Sequence, residues 1–333
     1  MLKKLSKVLL FLLWRQLHRN RVLIFSAHGV VDYGAPAKWR PLRRQLDVKN
    51  LERGLMALSK YYRFISLDQA CSILTNREKK SSYCAVLTFD DGYENNVSYA
   101  LPVMQRLGIP ATFFLATGHI ERREPFWYDR LDFAIQHLRS EQPVNFLGKK
   151  FLFSPDHTDK LCSTFSALRQ AVKEDTRHYS ETMANVRSIA EALEKNADCR
   201  LSDVFEGDHF TAVMNWESAR HAAKQGVTIG SHTVDHVLLD HLDIDSARAQ
   251  LFDSKKMIES QLDMPCYHLC YPNGNWSEQV IDLVREVGFK SAVTTKHGFA
   301  RQGDNLLTLH RMNFLDTSDT LSLLLRASGY PHF

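Results

Sequence analysis

Ala85-Val86-Leu87-Thr88-Phe89-Asp90-Asp91-Gly92-Tyr93 is an apolar, β-rich run that stops at two adjacent carboxylates and a glycine. Its composition predicts a strand over 85–89 and a loop after it. A helical pattern follows at Val97 to Leu107, closed by Gly108, and a second apolar run, Ala111 to Leu115, comes next. That is one βα unit and the start of another. Working outward, further runs at Val22 to His28, Val227 to Gly230, Tyr267 to Tyr271, Ser291 to Thr295 and Leu306 to Leu309 read as strands. Between them, Leu51 to Tyr61, Trp216 to Gln225, Ile244 to Leu262 and Trp276 to Val287 carry helical spacing, and Gly226 and Gly288 stand as stops. Strands alternating with helices predict an α/β fold with a parallel sheet or barrel, whose chemistry sits at the carboxyl ends of the strands.

The rhythm lapses from about 121 to 210, where Tyr128 to Leu138, Thr158 to Val172 and Tyr179 to Leu193 read as helices joined by polar links. This stretch is expected to be a mainly helical insertion in a barrel domain of residues 22–333. It either decorates the surface or covers the site and selects substrate.

The chain has 333 residues, 42 Lys and Arg against 38 Asp and Glu, and a net charge of +4. So small an excess gives no basic stripe and argues against a nucleic-acid partner. The six cysteines (Cys71, Cys84, Cys162, Cys199, Cys266, Cys270) are scattered, several in apolar runs, and are expected to be free thiols. Residues 1–21 are set apart as a basic amphipathic helix. Lys3, Lys4 and Lys7 precede an apolar run too short to span a bilayer, and Arg15, His18, Arg19 and Arg21 follow it with no small-residue cleavage site. Leu5, Val8, Leu9, Leu12, Leu13 and Leu17 recur at helical spacing. A helix lying in an anionic membrane surface and a helix packed on the domain both fit. The chain is accordingly expected in the cytoplasm, with peripheral contact at the inner face of the membrane through residues 2–21.

Asp90 and Asp91 repel each other unless something positive compensates, and a divalent cation is the economical candidate. Neighbouring side chains at a strand end point in different directions, so one can ligate while the other accepts a proton. A second cluster, Gly230-Ser231-His232-Thr233-Val234-Asp235-His236, also follows a strand. Histidines four apart can reach one ion. With Asp91 they make a two-His, one-carboxylate face that leaves positions open for water and substrate.

These residues resemble the polysaccharide deacetylase family (carbohydrate esterase family four, with its NodB-like homology domain). Thr88 to Gly92 match its Thr-Phe-Asp-Asp-Gly motif and Ser231 to His236 its Ser-His-Thr-x-x-His motif. The likeness continues through Tyr271-Pro272-Asn273-Gly274 and spans most of 22–118 and 211–314, missing the insertion. The resemblance implies a distorted (β/α)7 barrel, a metal held by Asp91, His232 and His236, and Asp90 as general base. It implies an oxyanion-stabilising backbone amide near Tyr271, and a histidine in a Leu-x-x-His motif that protonates the leaving amine. Leu307-Thr308-Leu309-His310 fits that pattern and assigns His310, although Arg311 beside it resembles an arginine found there in other branches. His28, with Tyr271, Pro272 and Asn273, is expected to line the substrate site.

The chain also departs from the pattern. Cys270 stands where many members have the arginine that orients the base, so another residue must hold Asp90. His236 is followed by Val237 rather than proline. His119 and His297 match no motif and are read as structural. The expected reaction is removal of an N-acetyl or N-formyl group from an amino sugar in a glycan or lipid-linked precursor. One divalent ion is expected, zinc first, with cobalt, nickel or manganese also fitting such ligands. Trp127, Tyr128 and Trp276 are candidates to stack on sugar rings. The alternatives are a deacetylase of a small non-sugar acylamine and an inactive glycan-binding relative.

Overall fold

The computed structural model describes residues 2–77, 82–175, 177 and 179–331. Met1 and the side chains of Lys3, Lys4 and Leu5 in the basic amino-terminal run lie outside the described residues.

Seven parallel strands close on themselves: β1 (Arg21–Ala27), β2 (Cys84–Phe89), β3 (Ala111–Leu115), β4 (Thr228–Ser231), β5 (His268–Cys270), β6 (Ser291–His297) and β7 (Leu309–Asn313). β1 pairs with β2 from Val22↔Cys84 to Ala27↔Phe89, and with β7 at Phe25↔Met312, which seals the ring. The strands read as continuous apolar runs because both faces are covered. Val22, Ile24, Val86, Phe114, Cys270, Val293 and Leu309 form one buried cluster inside the barrel, joined by Leu67, Ala70 and Ile73 of the helix Leu67–Leu74. Leu23, Phe25, Leu87, Phe89 and Phe113 belong to the larger cluster shared with the outer helices. This is the distorted (β/α)7 barrel the sequence predicts, with its active end at the strands' carboxyl termini.

Two expectations need correction. Leu306–Thr308 is a single 3-10 turn, and the last strand begins only at Leu309 and runs through Asn313. The distortion is local to this region: instead of a helix, a short strand Ala300–Arg301 returns antiparallel to β1 before that turn. The insertion, lying between β3 and β4, also holds more than helices. Gln142–Phe146 and Lys149–Phe153 form an antiparallel hairpin that turns at Leu147 and Gly148, with φ of 50° and 73°. Val144, Phe146, Phe151 and Phe153 alternate inward along it, a period of two that Pro143 obscures.

α1 (Leu2–Leu17) packs by one side. Phe11 is 1% exposed and meets Tyr61 edge-on at 4.7 Å, and the His18 imidazole lies 2.8 Å from the Ser328 carbonyl. Its other side leaves Leu9, Leu13 and Leu17 at 60, 58 and 62% exposure, one stripe at i, i+4 and i+8. No described helix is long and apolar enough to cross a membrane.

The insertion's helices are α2 (Trp127–Gln136), α3 (Thr158–Lys173) and α4 (Tyr179–Ala197). Arg130 of α2 grips the buried Glu194 of α4 through two bonds of 2.5 and 2.6 Å. All three helices contribute side chains to the cavity at the mouth of the barrel.

Candidate functional site

Strand alternation delivers the catalytic candidates. In β2, Val86 and Thr88 face the interior, so Asp90, whose amide still donates to the Ala27 carbonyl at 2.9 Å, continues the inner face. Asp91 turns away with φ 75° and Gly92 with φ 78°. His236 (φ 54°), Thr233 (φ 66°) and Asn273 (φ 56°) share this left-handed backbone. Non-glycine residues held there signal a site fixed by its surroundings, and these lie in the three motif loops.

The second motif's loop is fixed from several sides. The His232 amide donates to the Leu115 carbonyl at 2.8 Å, and the Ser231 hydroxyl meets Ser254 at 2.7 Å. The amides of Val234 and Asp235 both donate to Gln250 Oε1, at 3.1 and 2.9 Å. Thus β3 and the helix Ile244–Leu262 hold the two histidines against Asp91.

Asp91 Oδ1 lies 3.5 Å from His232 Nε2 and 3.4 Å from His236 Nε2. That oxygen is buried and, among the described residues, accepts no hydrogen bond. His232 Nδ1 is 2.7 Å from the Cys270 carbonyl, which has only lone pairs to offer, so Nδ1 carries a proton and Nε2 faces Asp91; against burial, Cys270 and Asp91 hold this imidazole well above its usual range, so a cation bound there would displace the Nε2 proton. Burial above all pushes the His236 imidazole down to about 4, which keeps it neutral. An orphaned carboxylate oxygen and two imidazole Nε2 atoms converging on one point are a donor set that fits a divalent cation. The other oxygen, Asp91 Oδ2, accepts from Tyr128 at 3.0 Å.

The missing arginine is supplied from another strand. Arg311 of β7 donates from Nη1 to Asp90 Oδ1 at 2.8 Å and from Nη2 to Oδ2 at 2.7 Å. It also reaches Thr88 Oγ1 at 2.9 Å, the Thr294 carbonyl at 2.8 Å and Cys270 Sγ at 3.2 Å. Cys270, small where the family pattern has arginine, leaves the space that Arg311 fills. Burial works against the Asp90 charge, but the guanidinium outweighs it and holds the carboxyl below its usual range.

His310 does not join this cluster. Leu309 and Arg311 face the barrel interior, so His310 stands on the opposite face of β7, beside Gly298, and lines no part of the cavity. Of the remaining candidates, His28, Tyr271 and Asn273 line the cavity, while Pro272 is buried beneath it. The Tyr271 amide is spent on the Val293 carbonyl at 3.2 Å and its hydroxyl on the Leu307 carbonyl at 3.0 Å. An oxyanion donor near Tyr271, as expected, would therefore be another amide of this loop. Trp127 and Tyr128 line the cavity, and Trp276 does not.

The cavity encloses about 480 Å³, within the range of small-ligand sites. Four of its lining residues were not legible as site residues: Arg43 from the loop after β1, Arg169 and Lys173 from α3, and Tyr179 from α4. The four-residue spacing of Arg169 and Lys173, the latter one residue past the helix expected over 158–172, was the available signal. Nothing in the sequence said which way that face points.

A model of the polysaccharide deacetylase family matches residues 77–143 and 195–292, leaving out most of the insertion. The chain is 22% identical over 251 residues to YxkH of Bacillus subtilis (strain 168), which carries a provisional polysaccharide deacetylase name; the match covers 75% of this chain and 58% of that one. The chain thus spans under two thirds of that relative's length. Among solved structures it is similar to the Streptococcus pyogenes deacetylase PplD in complex with acetate, at 17% identity and TM-score 0.59, covering 93% of this chain and 98% of that one. It is also similar to IcaB from Ammonifex degensii, at 15% identity and TM-score 0.57, covering 93% and 97%. At these identities the two structures speak to the fold.

Proposed function

We propose that this chain, which belongs to the polysaccharide deacetylase family, is a metal-dependent N-deacetylase that hydrolyses the acetamide or formamide of an amino sugar in a glycan or lipid-linked glycan precursor. The observation that carries the reading is the convergence of Asp91 Oδ1, His232 Nε2 and His236 Nε2 beside an ion-paired Asp90. A divalent ion held there supplies Lewis acidity, and zinc suits the mixed imidazole and carboxylate donors best.

The chain's own residues do the rest. Asp90, kept ionised by Arg311, takes the proton of the attacking water. The departing amine needs a proton in return. His28, open to the cavity at the end of β1, is the imidazole we assign to deliver it in place of His310. Trp127 offers a flat face to a sugar ring. The exposed leucine stripe of α1, among basic residues, supports a position on the cytoplasmic face of an anionic membrane, where lipid-linked precursors are presented.

The test is acetate release from N-acetylglucosamine oligomers by the wild type and by Asp90→Asn, with metal content measured alongside. We expect about one divalent ion per chain in both proteins and turnover only in the wild type. A metal-loaded wild type that releases no acetate or formate from N-acylated sugars overturns the reading.

A further inference from the structure

The cavity wall beside the metal-ligand cluster carries more positive charge than its reaction needs. Arg169 and Lys173, one turn apart on α3, both line it, and so does Arg43. Arg43 and Arg169 lie over the same Tyr128 ring, at 4.7 and 5.6 Å from its centroid. That tyrosine is the one whose hydroxyl holds Asp91, so the cations stand next to the reacting centre. Lys173 reaches across to the turn of the third motif, where it donates to the neutral Asn273 Oδ1 at 2.6 Å.

The carboxylates of this cavity are already engaged. Asp90 is held by Arg311, and Asp91 belongs to the imidazole cluster. Asp175 is bound by Arg177 at 2.7 Å and Thr182 at 2.6 Å, and Asp316 by Arg44 at 2.8 Å and Asn50 at 2.7 Å. Among the described residues, neither Arg169 nor Lys173 has a carboxylate within ion-pairing distance, and Arg169 Nε is buried with no hydrogen-bond partner. Arg43 has the Tyr93 hydroxyl at 2.6 Å and reaches Asp91 and Asp129 only at 3.8 Å. Among the described residues, Arg169 and Lys173 thus share an enclosed space without matching anions, beside an Arg43 whose two carboxylate neighbours stand at 3.8 Å. Burial, with the repulsion of Arg169 and Arg43 behind it, pushes the Lys173 ammonium down to about 8.

A neutral N-acetylated sugar offers such a cluster hydroxyl acceptors but no compensating charge. Proteins hold unpaired guanidinium and ammonium groups together in a cleft where an oxyanion completes them, since charge-assisted bonds to phosphate or carboxylate offset the desolvation and repulsion. We propose that Arg43, Arg169 and Lys173 receive an oxyanion substituent, a phosphate or a carboxylate, carried by the N-acylated sugar, so that the enzyme selects acidic substrates over neutral ones. The inference deepens the deacetylase reading and rests on it for the identity of the sugar. The anion site itself stands independently of turnover. The insertion is then what sets specificity, because α3 supplies two of the three cations.

The experiment has two arms, both on the full chain. In the first, protein stripped of metal by chelation is titrated calorimetrically with inorganic phosphate and with glucuronate. Saturable binding of at least one is expected, weakened about tenfold or more in Arg169→Gln and in Lys173→Met, and restored in Lys173→Arg. Arg220→Gln, on the outer helix Trp216–Lys224, is expected to bind as the wild type does. In the second, metal-loaded enzyme is given N-acetylglucosamine 1-phosphate, N-acetylmuramic acid and neutral chitotriose. A kcat/KM preference for one of the acidic sugars that falls in both charge-removing variants supports the proposal, and which acidic sugar it is distinguishes a phosphate from a ring-borne carboxylate. Equal use of neutral and acidic sugars, or anion binding indifferent to Arg169 and Lys173, overturns it. Anion binding that depends on these residues, with no sugar deacetylated, keeps the cation site and overturns the catalytic reading instead.

Discussion

Arg311 grips Asp90 from two strands away around the barrel, Nη1 to Oδ1 at 2.8 Å and Nη2 to Oδ2 at 2.7 Å, with both side chains almost fully buried. The fork matches both carboxylate oxygens, and so fixes the direction in which Asp90 meets water as well as its charge.

Replacing Arg311 by Met leaves a buried carboxylate without its cation, a change that costs about 3–5 kcal/mol in comparable buried pairs. Thermal unfolding should show that loss, and it should be largest at neutral pH. Asp90 is depressed in the folded state, so the pair's stabilisation is present above the unfolded carboxyl's range and fades as pH falls through the folded value. In the surviving enzyme, burial without the guanidinium raises the Asp90 carboxyl. The acidic limb of the kcat/KM profile is therefore expected to move to higher pH, and an unmoved limb would show that Asp90 is not the base.

His310→Ala is expected to keep activity within about twofold, whereas His28→Ala should lose on the order of 10²–10³ in kcat, the usual scale of a general acid. The two variants differ in geometry alone, since one imidazole lines the cavity and the other stands behind β7. Equal losses would return the proton-donor role to His310.

Asp91→Ala and the double variant His232→Ala, His236→Ala should each reduce bound metal from about one ion per chain to nearly none by elemental analysis. Tyr128→Phe should keep the metal but bind it about tenfold or more weakly, as partners behind a ligand commonly do. Unchanged metal content in the ligand variants would place the ion elsewhere.

Leu9→Asp with Leu13→Asp should leave the melting temperature nearly unchanged, because both side chains are mostly exposed, and should abolish co-sedimentation with anionic phospholipid vesicles. Phe11→Ala tests the opposite side of the same helix, with an expected destabilisation of about 3–5 kcal/mol. Wild-type protein that ignores such vesicles would refute the membrane position.

The motif residues were legible because each occupies the end of an apolar run, where composition changes abruptly. Arg311 against His310 was harder. A strand's side chains alternate, so an error of a few residues in placing Leu306 to Leu309 left the facing of the next two positions open. Leu309-x-Arg311-x-Asn313, an inward trio, was the pattern to read. The wall that the insertion adds to the cavity was illegible for a different reason. Arg169, Lys173 and Tyr179 lie in a segment whose helices could be seen in the sequence while their orientation over the barrel could not. That orientation comes from contacts such as Arg130 with Glu194, 64 residues apart.

The bond from Tyr128 to Asp91 also bears on how such a protein can be rebuilt. It joins the first residue pair of α2 to a barrel loop 37 positions earlier, and Tyr93 in that same loop donates to Asp129 Oδ2 at 2.7 Å. A chimera that exchanges the insertion to redirect specificity must therefore splice beyond Asp129, retaining the Tyr128-Asp129 pair with the recipient scaffold. A graft cut at the apparent edge of the barrel would import a new binding wall and detach the support from a ligand carboxylate in the same operation.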